Sequence, residues 1–274
     1  HDYNLVRGGL SVHPRLVASH SRRITSRVQL SSGLPRLDQL LGGGVEQGTS
    51  MLIVGPPGTG KSSLASQFVA AAIERGDRAA MFLFEESASN LLHRSDGLKL
   101  RIREAVESGA LTLQQVDPAE LSPGQFSAAV TAVVEAGAKV VVIDSLNGYF
   151  NAVPDERFLA THLHELLTYL GQHDVLTLLV GVQQGMLGGP MTSAMDVSYI
   201  ADAVMMLRYF EDDGAIRQAI SVFKKRSGAH ERTIRAFSMS SQGIDVGDIL
   251  RGHRGLLMGA PRAPHATHAP DAKM

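Results

Sequence analysis

The segment Gly55-Pro56-Pro57-Gly58-Thr59-Gly60-Lys61-Ser62 constrains the fold of this chain more than any other. It fits G-x-x-x-x-G-K-[ST] and lies between an apolar strand pattern, Met51–Val54, and a helical pattern from Lys61 to Arg75. Glycines at this spacing let backbone N–H groups surround a phosphate, and the helix N-terminus adds a positive dipole end. Lys61 supplies a cation to the β- and γ-phosphates, and Ser62 a hydroxyl to Mg²⁺. We therefore predict that Gly55–Ser63 binds Mg-ATP, because an ordinary glycine turn would not need this context.

An acidic residue ends the most apolar strand pattern in the chain. Val140-Val141-Val142-Ile143 is a run of β-branched residues typical of a buried parallel strand, and Asp144 follows it. Such a strand would hold Asp144 at the carboxyl edge of the sheet beside the phosphate loop, where a carboxylate orders Mg²⁺ and its waters. Alone, the pattern is more often a strand-end turn, but together with the phosphate loop it predicts a metal-ordering Asp144.

Two further polar groups follow predicted strands. Glu85 and Glu86 come after Met81–Phe84, and we expect this strand to lie next to the strand of the phosphate loop. One of these carboxylates could polarise a water or hydroxyl, and Glu86 could also contact the metal; the alternative is helix N-terminal charge. Gln183 and Gln184 follow Leu176–Val182, and Gln184 is a candidate sensor of the γ-phosphate.

A basic cluster lies near the end of the regular sequence. Lys224-Lys225-Arg226 follows an apolar strand pattern, and His230 lies just beyond it. A solvated basic turn, a nucleic-acid contact and a phosphate sensor reaching into a neighbouring subunit are all compatible with this spacing. The spacing does not choose among them.

The order of the predicted elements and the composition of the chain limit its fold class, its ligands and its location. Strand and helix patterns alternate from Met51 to Val182, and three strand patterns follow, Ala203–Tyr209, Ile216–Lys224 and Thr233–Met239. This order predicts an α/β fold with a mostly parallel central sheet, flanking helices and an antiparallel extension. The net charge is −1 and cysteine is absent, so neither a chain-wide nucleic-acid charge nor a thiolate metal site is expected. No apolar run approaches the roughly 20 residues of a membrane span, and a cytoplasmic location is expected.

Several segments together resemble the KaiC family, the circadian-clock ATPases of the RecA-like superfamily. Besides the phosphate loop, the resemblance rests on six segments: Ser32-Gly33-Leu34-Pro35-Arg36-Leu37-Asp38, Gly42-Gly43-Gly44, Phe84-Glu85-Glu86-Ser87, Ile143-Asp144-Ser145-Leu146, Ile200-Ala201-Asp202 and Phe223-Lys224-Lys225-Arg226 with His230. It covers about residues 31–261. It implies a RecA-like P-loop ATPase domain over residues 25–260, followed by a disordered tail over 261–274.

The resemblance also implies an assembly. KaiC-like domains form hexameric rings with ATP between subunits, so Lys224, Arg226 and His230 would contact the neighbour's nucleotide. Glu85 and Glu86 match the family's catalytic glutamate pair, so one of them is the expected general base. The opening residues His1-Asp2-Tyr3 through Val12 parallel His230-Glu231-Arg232 through Val246. We therefore expect residues 1–24 to be the last strand and exit of a preceding domain, with this domain second in a tandem protein.

Autophosphorylation is where the sequence departs from the family. A Ser-Thr pair carries phosphate in the clock protein's second domain, and Ser198-Tyr199 occupies that position here. Ser198 keeps the hydroxyl and is the candidate phosphosite, with Thr192 and Ser193 as further acceptors. A two-site cycle is not expected, and a loop serine that caps local backbone is the alternative.

Two other functions compete with a ring ATPase that acts on water. A DNA-dependent ATPase shares the fold, but residues 183–197 contain no Lys or Arg, so DNA is not expected as a partner. A ring that binds ATP only to hold its shape and recruit regulatory proteins is the second alternative. The complete set of Lys61, Ser62, Asp144 and the two glutamates argues against an inactive site.

Overall fold

The computed structural model describes residues 2–13, 28–117, 122–151, 156–182, 199–253 and 255. Within these ranges thirteen strands and seven helices form. The strands are β1 Asp2–Val6, β2 Gly9–His13, β3 Gln29–Leu30, β4 Val45–Glu46, β5 Ser50–Gly55, β6 Arg78–Leu83, β7 Leu111–Gln115, β8 Ala138–Asp144, β9 Leu176–Val182, β10 Ala203–Asp212, β11 Ala215–Lys225, β12 Ile234–Ser240 and β13 Gly243–Ile249. The helices are α1 Pro35–Leu40, α2 Lys61–Glu74, α3 Ala88–Gly97, α4 Ile102–Glu107, α5 Pro123–Glu135, α6 Leu146–Asn151 and α7 Glu156–Gln172.

Nine strands form one sheet in the order β13-β12-β11-β10-β5-β9-β8-β6-β7. The six strands from β10 to β7 pair in parallel, and β11, β12 and β13 extend the sheet through antiparallel pairs. This confirms the predicted α/β fold with a mostly parallel sheet and an antiparallel extension at one edge. The carboxyl ends of β5, β8 and β6 meet at one edge, which is where parallel α/β sheets bind ligands.

Helices cover both faces of the sheet because its central strands are apolar on both sides. One core contains Leu64 and Phe68 of α2 against Ile53 of β5, and it continues to α3 and α4. The other contains Phe126 of α5 and Leu163 of α7. Parallel sheets buried on both faces use continuous apolar strands, and the central residues of β8 are fully buried.

The strand that carries Glu85 and Glu86 is not beside the phosphate-loop strand, which corrects one expectation. β6 pairs with β8 and β7, whereas β5 pairs with β9 and β10. Consecutive βαβ units need not place consecutive strands side by side, and here β8 and β9 insert between them. The carboxylates therefore approach the site past the end of β8.

Two hairpins and one short helix were not in the predicted patterns. β12 and β13 form a hairpin where one strand was expected, and β1 and β2 form a separate hairpin at the start of the chain. α6 follows β8 directly, with Ser145 between them. Among the described helices, none combines the length and the apolar character that a bilayer span requires.

Candidate active site

The loop between β5 and α2 is shaped by glycines with positive φ. Gly58 has φ +78°, and a Cβ there would lie 2.7 Å from the Tyr209 hydroxyl oxygen. Gly60 is the N-cap of α2 with φ +93°, and a Cβ there would lie 2.6 Å from Met239 Sδ. Both positions therefore favour glycine by conformation, and the ends of the Tyr209 and Met239 side chains lie close against them. The loop is consequently held between the N-terminus of a fourteen-residue helix and the side chains of β10 and β12.

The ammonium of Lys61 lies inside this loop. Its Nζ donates a 2.8 Å hydrogen bond to the Pro56 carbonyl, and the side chain is almost fully buried. The Thr59 hydroxyl donates to the same carbonyl at 2.8 Å, which fixes the loop against itself. Burial lowers the pKa of Lys61, while the negative charges of Asp144 and Glu85 raise it. The loop thus presents a partly desolvated cation, which interacts more strongly with phosphate than a solvated lysine does.

Asp144 lies at the carboxyl end of β8 within contact of α2. Its side chain is 7% exposed and accepts a hydrogen bond from the Ser62 hydroxyl. Burial raises the pKa of Asp144 to about 6; Ser62 opposes this rise, Glu86 adds to it, and Arg94 and Lys61 oppose it. Oxygen Oδ2 is buried without a hydrogen-bond partner among the described residues. A buried carboxylate oxygen left in this state is a candidate ligand for a metal or its water.

Glu85 and Glu86 follow β6 and differ in their surroundings. The Phe84 N–H donates to the Asp144 carbonyl at 2.7 Å, which joins the end of β6 to the end of β8. Glu85 is exposed at the mouth of the site and interacts electrostatically with Lys61. Glu86 is half-buried and forms an ion pair with Arg94 of α3. The structure therefore brings the predicted residues Lys61, Ser62, Asp144, Glu85 and Glu86 together.

Lys224, Arg226 and His230 are not in this group. β11 runs antiparallel to β10, and Lys225 pairs with Ala203, which in turn pairs with Met51 at the start of β5. The rise of a strand places this level roughly 13 Å from Gly55. The basic residues thus lie at the opposite end of the sheet from the phosphate loop of their own chain.

Two of these basic residues, Lys224 and Arg226, donate hydrogen bonds to backbone carbonyls of their own chain. Lys224 Nζ donates to the Ala201 carbonyl at 2.9 Å, and Arg226 donates to the Tyr199 carbonyl and lies 3.7 Å from Asp202. His230 lies beside the glycine turn that precedes β4, since a Cβ at Gly42 would lie 3.4 Å from His230 Cα. Burial, followed by the charges of Arg232 and Lys225, lowers the pKa of His230.

Three residues that the sequence analysis missed also belong to the site. Arg94 pairs with Glu86 and acts on Asp144 through its charge. Asn147 Oδ1 accepts a 2.8 Å hydrogen bond from the Val182 N–H, which joins the start of α6 to the end of β9. Gly148 lets α6 lie against β6, because a Cβ there would be 2.5 Å from Phe84 Cβ. A polar pair directly after Asp144-Ser145-Leu146 was the available signal for the last two.

The residues present fit Mg-ATP. The loop offers backbone donors and Lys61 to phosphates, and Ser62 and Asp144 offer two oxygen ligands of the kind Mg²⁺ takes beside substrate phosphates. Within the described ranges, no cluster of three or more His, Asp or Glu side chains could hold a metal by itself. Gln184 and Ser198 lie outside the described residues, so their roles stay predictions.

Comparison with known proteins agrees with this geometry. The model of the family described as "ATPase: KaiC" matches residues 30–251. This chain belongs to the KaiC family of ATPases. Among curated KaiC proteins, it is 28% identical to the circadian clock oscillator protein KaiC of Synechococcus elongatus over 92% of this chain and 49% of that protein. It is 27% identical to the circadian clock protein KaiC3 of Synechocystis sp., over 92% of this chain and 50% of that protein.

The match covers one half of these relatives. The KaiC oscillator protein of Prochlorococcus marinus is 28% identical over 92% of this chain and 50% of its own length. The chain therefore spans about half the length of the curated KaiC proteins it matches. The family match excludes the hairpin of β1 and β2, since it begins at residue 30.

Proposed function

We propose that this KaiC-family domain binds Mg-ATP and hydrolyses the bond to the γ-phosphate. The observation that carries the proposal is the convergence of Lys61, Ser62 and Asp144 at a glycine-shaped loop. Water attacks the γ-phosphorus, the bond from that phosphorus to the bridging oxygen breaks, and ADP leaves. Mg²⁺, when bound, neutralises charge on the β- and γ-phosphates.

Each residue contributes positioning or charge rather than covalent chemistry. Lys61 binds the β- and γ-phosphates, Ser62 and Asp144 hold the metal and its waters, and Glu85 or Glu86 takes the proton of the attacking water. Glu85 is exposed at the mouth of the site, which gives it access to water. Asp144 and Ser62 are already hydrogen-bonded to each other, so the two metal ligands need little rearrangement.

The direct test is phosphate release from Mg-ATP by the purified chain. Lys61→Ala should reduce release by about 10²-fold or more, and Glu85→Gln or Glu86→Gln by a similar factor for whichever is the base. Lys139→Ala is the matched control, because Lys139 lies at the opposite end of β8 from Asp144. If the intact chain binds ATP and releases no phosphate, the proposal is wrong and a nucleotide-binding scaffold is favoured.

We further propose that the site is completed by a neighbouring subunit in a ring of six. Support comes from the position of Lys224, Arg226 and His230 at the end of the sheet remote from their own phosphate loop. In this position they are remote from their own nucleotide site, which supports a role at the nucleotide of another subunit. Regulatory proteins as partners, a cytoplasmic location and the absence of DNA binding belong to the same proposal.

A tandem arrangement is proposed from the two hairpins. Val6 pairs with Gly9 and Ser240 with Gly243, each across a two-residue turn. Counting from those turns, the pair Tyr3–Val12 corresponds to the pair Phe237–Val246. Phe237 and Val246 are 3% and 1% exposed against the core, whereas Tyr3 and Val12 are 66% and 59% exposed.

This register match supports the expectation that residues 1–24 are the end of a preceding domain of the same kind. The apolar pair Tyr3–Val12 would then pack on that domain as Phe237–Val246 packs on this one. The correction concerns its form, which is a two-stranded hairpin rather than a single last strand. A gene whose upstream coding sequence contains no second phosphate loop would rule the arrangement out.

Autophosphorylation at Ser198 is a separate proposal that rests on the sequence position alone. The test is phosphopeptide mapping after incubation with Mg-ATP, with Ser198→Ala as the control. An unmodified Ser198 in a chain that releases phosphate would leave hydrolysis as the activity and remove the kinase.

A further inference from the structure

Arg94 is the cation of the site that no part of the phosphate-loop motif contains. It lies near the end of α3, a helix capped at its start by the Ser87 side chain. Its Nη1 pairs with Glu86 Oε1, so the carboxylate that follows the exposed Glu85 is held from the helix side. The charge of Arg94 also reaches Asp144, whose pKa it lowers.

The remaining nitrogens of Arg94 are not used by the fold. Nε and Nη2 are buried and have no hydrogen-bond partner among the described residues. Leaving charged donors buried in this way destabilises a protein unless another group is bound there. Asp144 Oδ2 is likewise buried without a hydrogen-bond partner among the described residues. Arg94 and Asp144 belong to one cluster of three carboxylates and two cations, which also contains Lys61, Glu85 and Glu86.

The two glutamates are therefore not equivalent. Glu86 has a fixed cationic partner on α3, whereas Glu85 is exposed and interacts electrostatically with Lys61. Arginine is suited to hold a carboxylate because its planar fork fixes direction as well as distance. Lysine at this position would keep the charge without the direction.

We propose that Arg94 is a positioning residue that fixes Glu86 beside Asp144 and limits the negative charge that the metal meets. The proposal rests on the proposed Mg-ATP site and goes beyond it by giving the two glutamates different roles. Without Arg94, Glu86 is an uncompensated negative charge that can turn toward the metal. Metal binding should then strengthen while phosphate release slows, a combination that a general loss of structure would not produce.

The readout is the ratio of the dissociation constants of mant-ATP measured in EDTA and in Mg²⁺, here named the magnesium ratio. Fluorescence titration of the full chain gives this ratio without any turnover. Arg94→Ala should raise the magnesium ratio by about threefold or more, because the positive charge that pairs with Glu86 and acts on Asp144 is lost. Phosphate release should fall by about tenfold.

Two further variants separate charge from geometry. Arg94→Lys should keep the wild-type magnesium ratio and still slow phosphate release, and it stays informative if Arg94→Ala does not fold. Arg94→Ala combined with Glu86→Gln should release phosphate no more slowly than Glu86→Gln alone, because both changes act through one ion pair.

The matched control is Arg103→Ala. Arg103 also bonds a carboxylate from a helix, Asp96 Oδ2 at 2.6 Å, but that pair is exposed and remote from the loop. Arg103→Ala should leave both the magnesium ratio and the rate of phosphate release at the wild-type level. A magnesium ratio in Arg94→Ala equal to that of Arg103→Ala, or losses of release that multiply in the double variant, would overturn the proposal. A wild-type chain without phosphate release would refute hydrolysis instead, and the magnesium ratio would still decide the role of Arg94.

Discussion

At the scale of single residues, Asp144 combines a functional role with a cost to folding. It is buried at the end of β8, where the Ser62 hydroxyl is the one described hydrogen-bond donor to its side chain. Burial is the main reason that its pKa rises to about 6. A metal requires the ionised form of Asp144. Without the metal, burial makes this ionised form unfavourable in the folded chain.

Asp144→Asn should stabilise the metal-free chain at neutral pH. An unfolded aspartate has a pKa of about 3.9, so between about 4 and 6 the folded chain binds more protons and its stability falls as pH rises. The penalty is complete above about pH 6, and asparagine removes it. Urea unfolding in EDTA should give a gain on the order of 2–3 kcal/mol at pH 7.5 and about half of that at pH 5. An equal gain at both pH values would contradict this origin.

The same substitution should abolish phosphate release. The asparagine oxygen can still accept from Ser62, but it brings no charge to Mg²⁺. Loss of activity with a gain in unfolding free energy is the outcome that separates a functional carboxylate from a structural one.

The residues of the phosphate loop and Asp144 could be predicted because their signals are local. Gly55 to Ser62 are contiguous, and Asp144 directly follows its strand pattern. Arg94 could not be predicted in the same way. Its pairing with Glu86 depends on where α3 begins and how far it continues, and the helix runs to Gly97.

At the scale of elements, the packing of α6 on β6 places Glu85. α6 begins two residues after Asp144 and lies against Phe84 and Glu85 at Gly148. A Cβ at Gly148 would lie 2.5 Å from Phe84 Cβ and 3.4 Å from Glu85 Cγ. The helix and the strand can therefore approach each other only with glycine at this position.

Gly148→Ala should move Glu85 and leave nucleotide binding nearly intact. We expect phosphate release to fall by about tenfold, because a small displacement of a base costs rate rather than affinity. Affinity for mant-ATP should stay within about twofold, since the substitution does not touch the loop. Gly97→Ala is the control, because Gly97 is also helical and a Cβ there would have no atom within 4 Å. Equal turnover in the two variants would show that this contact does not position Glu85.

Some elements could be predicted from local sequence signals, and others could not. α5 begins at Pro123 with a capping box between Ser122 and Gln125, which is a local start signal in the sequence. The position of β6 beside β8 could not be read from the chain, because strand order depends on packing between distant segments. The second strand of the β12–β13 hairpin was missed because Gly243–Ile249 contains two glycines and two aspartates in seven residues, and both residue types are depleted in strands.

At the scale of the whole molecule, the sheet separates the two halves of the proposed site. Lys61 and Asp144 lie at one end, and Lys224 and Arg226 lie at the other. A site that uses both sets requires two subunits, and each subunit then contributes to two sites.

Mixing two inactive variants should restore activity. Lys61→Ala subunits keep their basic residues and Arg226→Ala subunits keep their loop, so mixed rings contain some interfaces with both. Random mixing in equal amounts should restore about one quarter of wild-type phosphate release per site. Lys61→Ala mixed with Lys61→Ala/Arg226→Ala is the control and should recover nothing. Failure of the first mixture, with rings formed, would mean that Arg226 acts only within its own chain, through Asp202 and Tyr199.

The register match between the two hairpins has a consequence for how tandem duplication of a gene relates to domain boundaries. If a stretch of coding sequence is duplicated in tandem, the ends of the copied unit are set by where the duplication began and ended. The boundaries of the folded domains need not fall at the same positions. A hairpin encoded next to one domain can belong to the sheet of another. If the proposed tandem arrangement holds, Tyr3 and Val12, exposed here while their counterparts Phe237 and Val246 are buried, mark a difference between the duplicated unit and the folded unit.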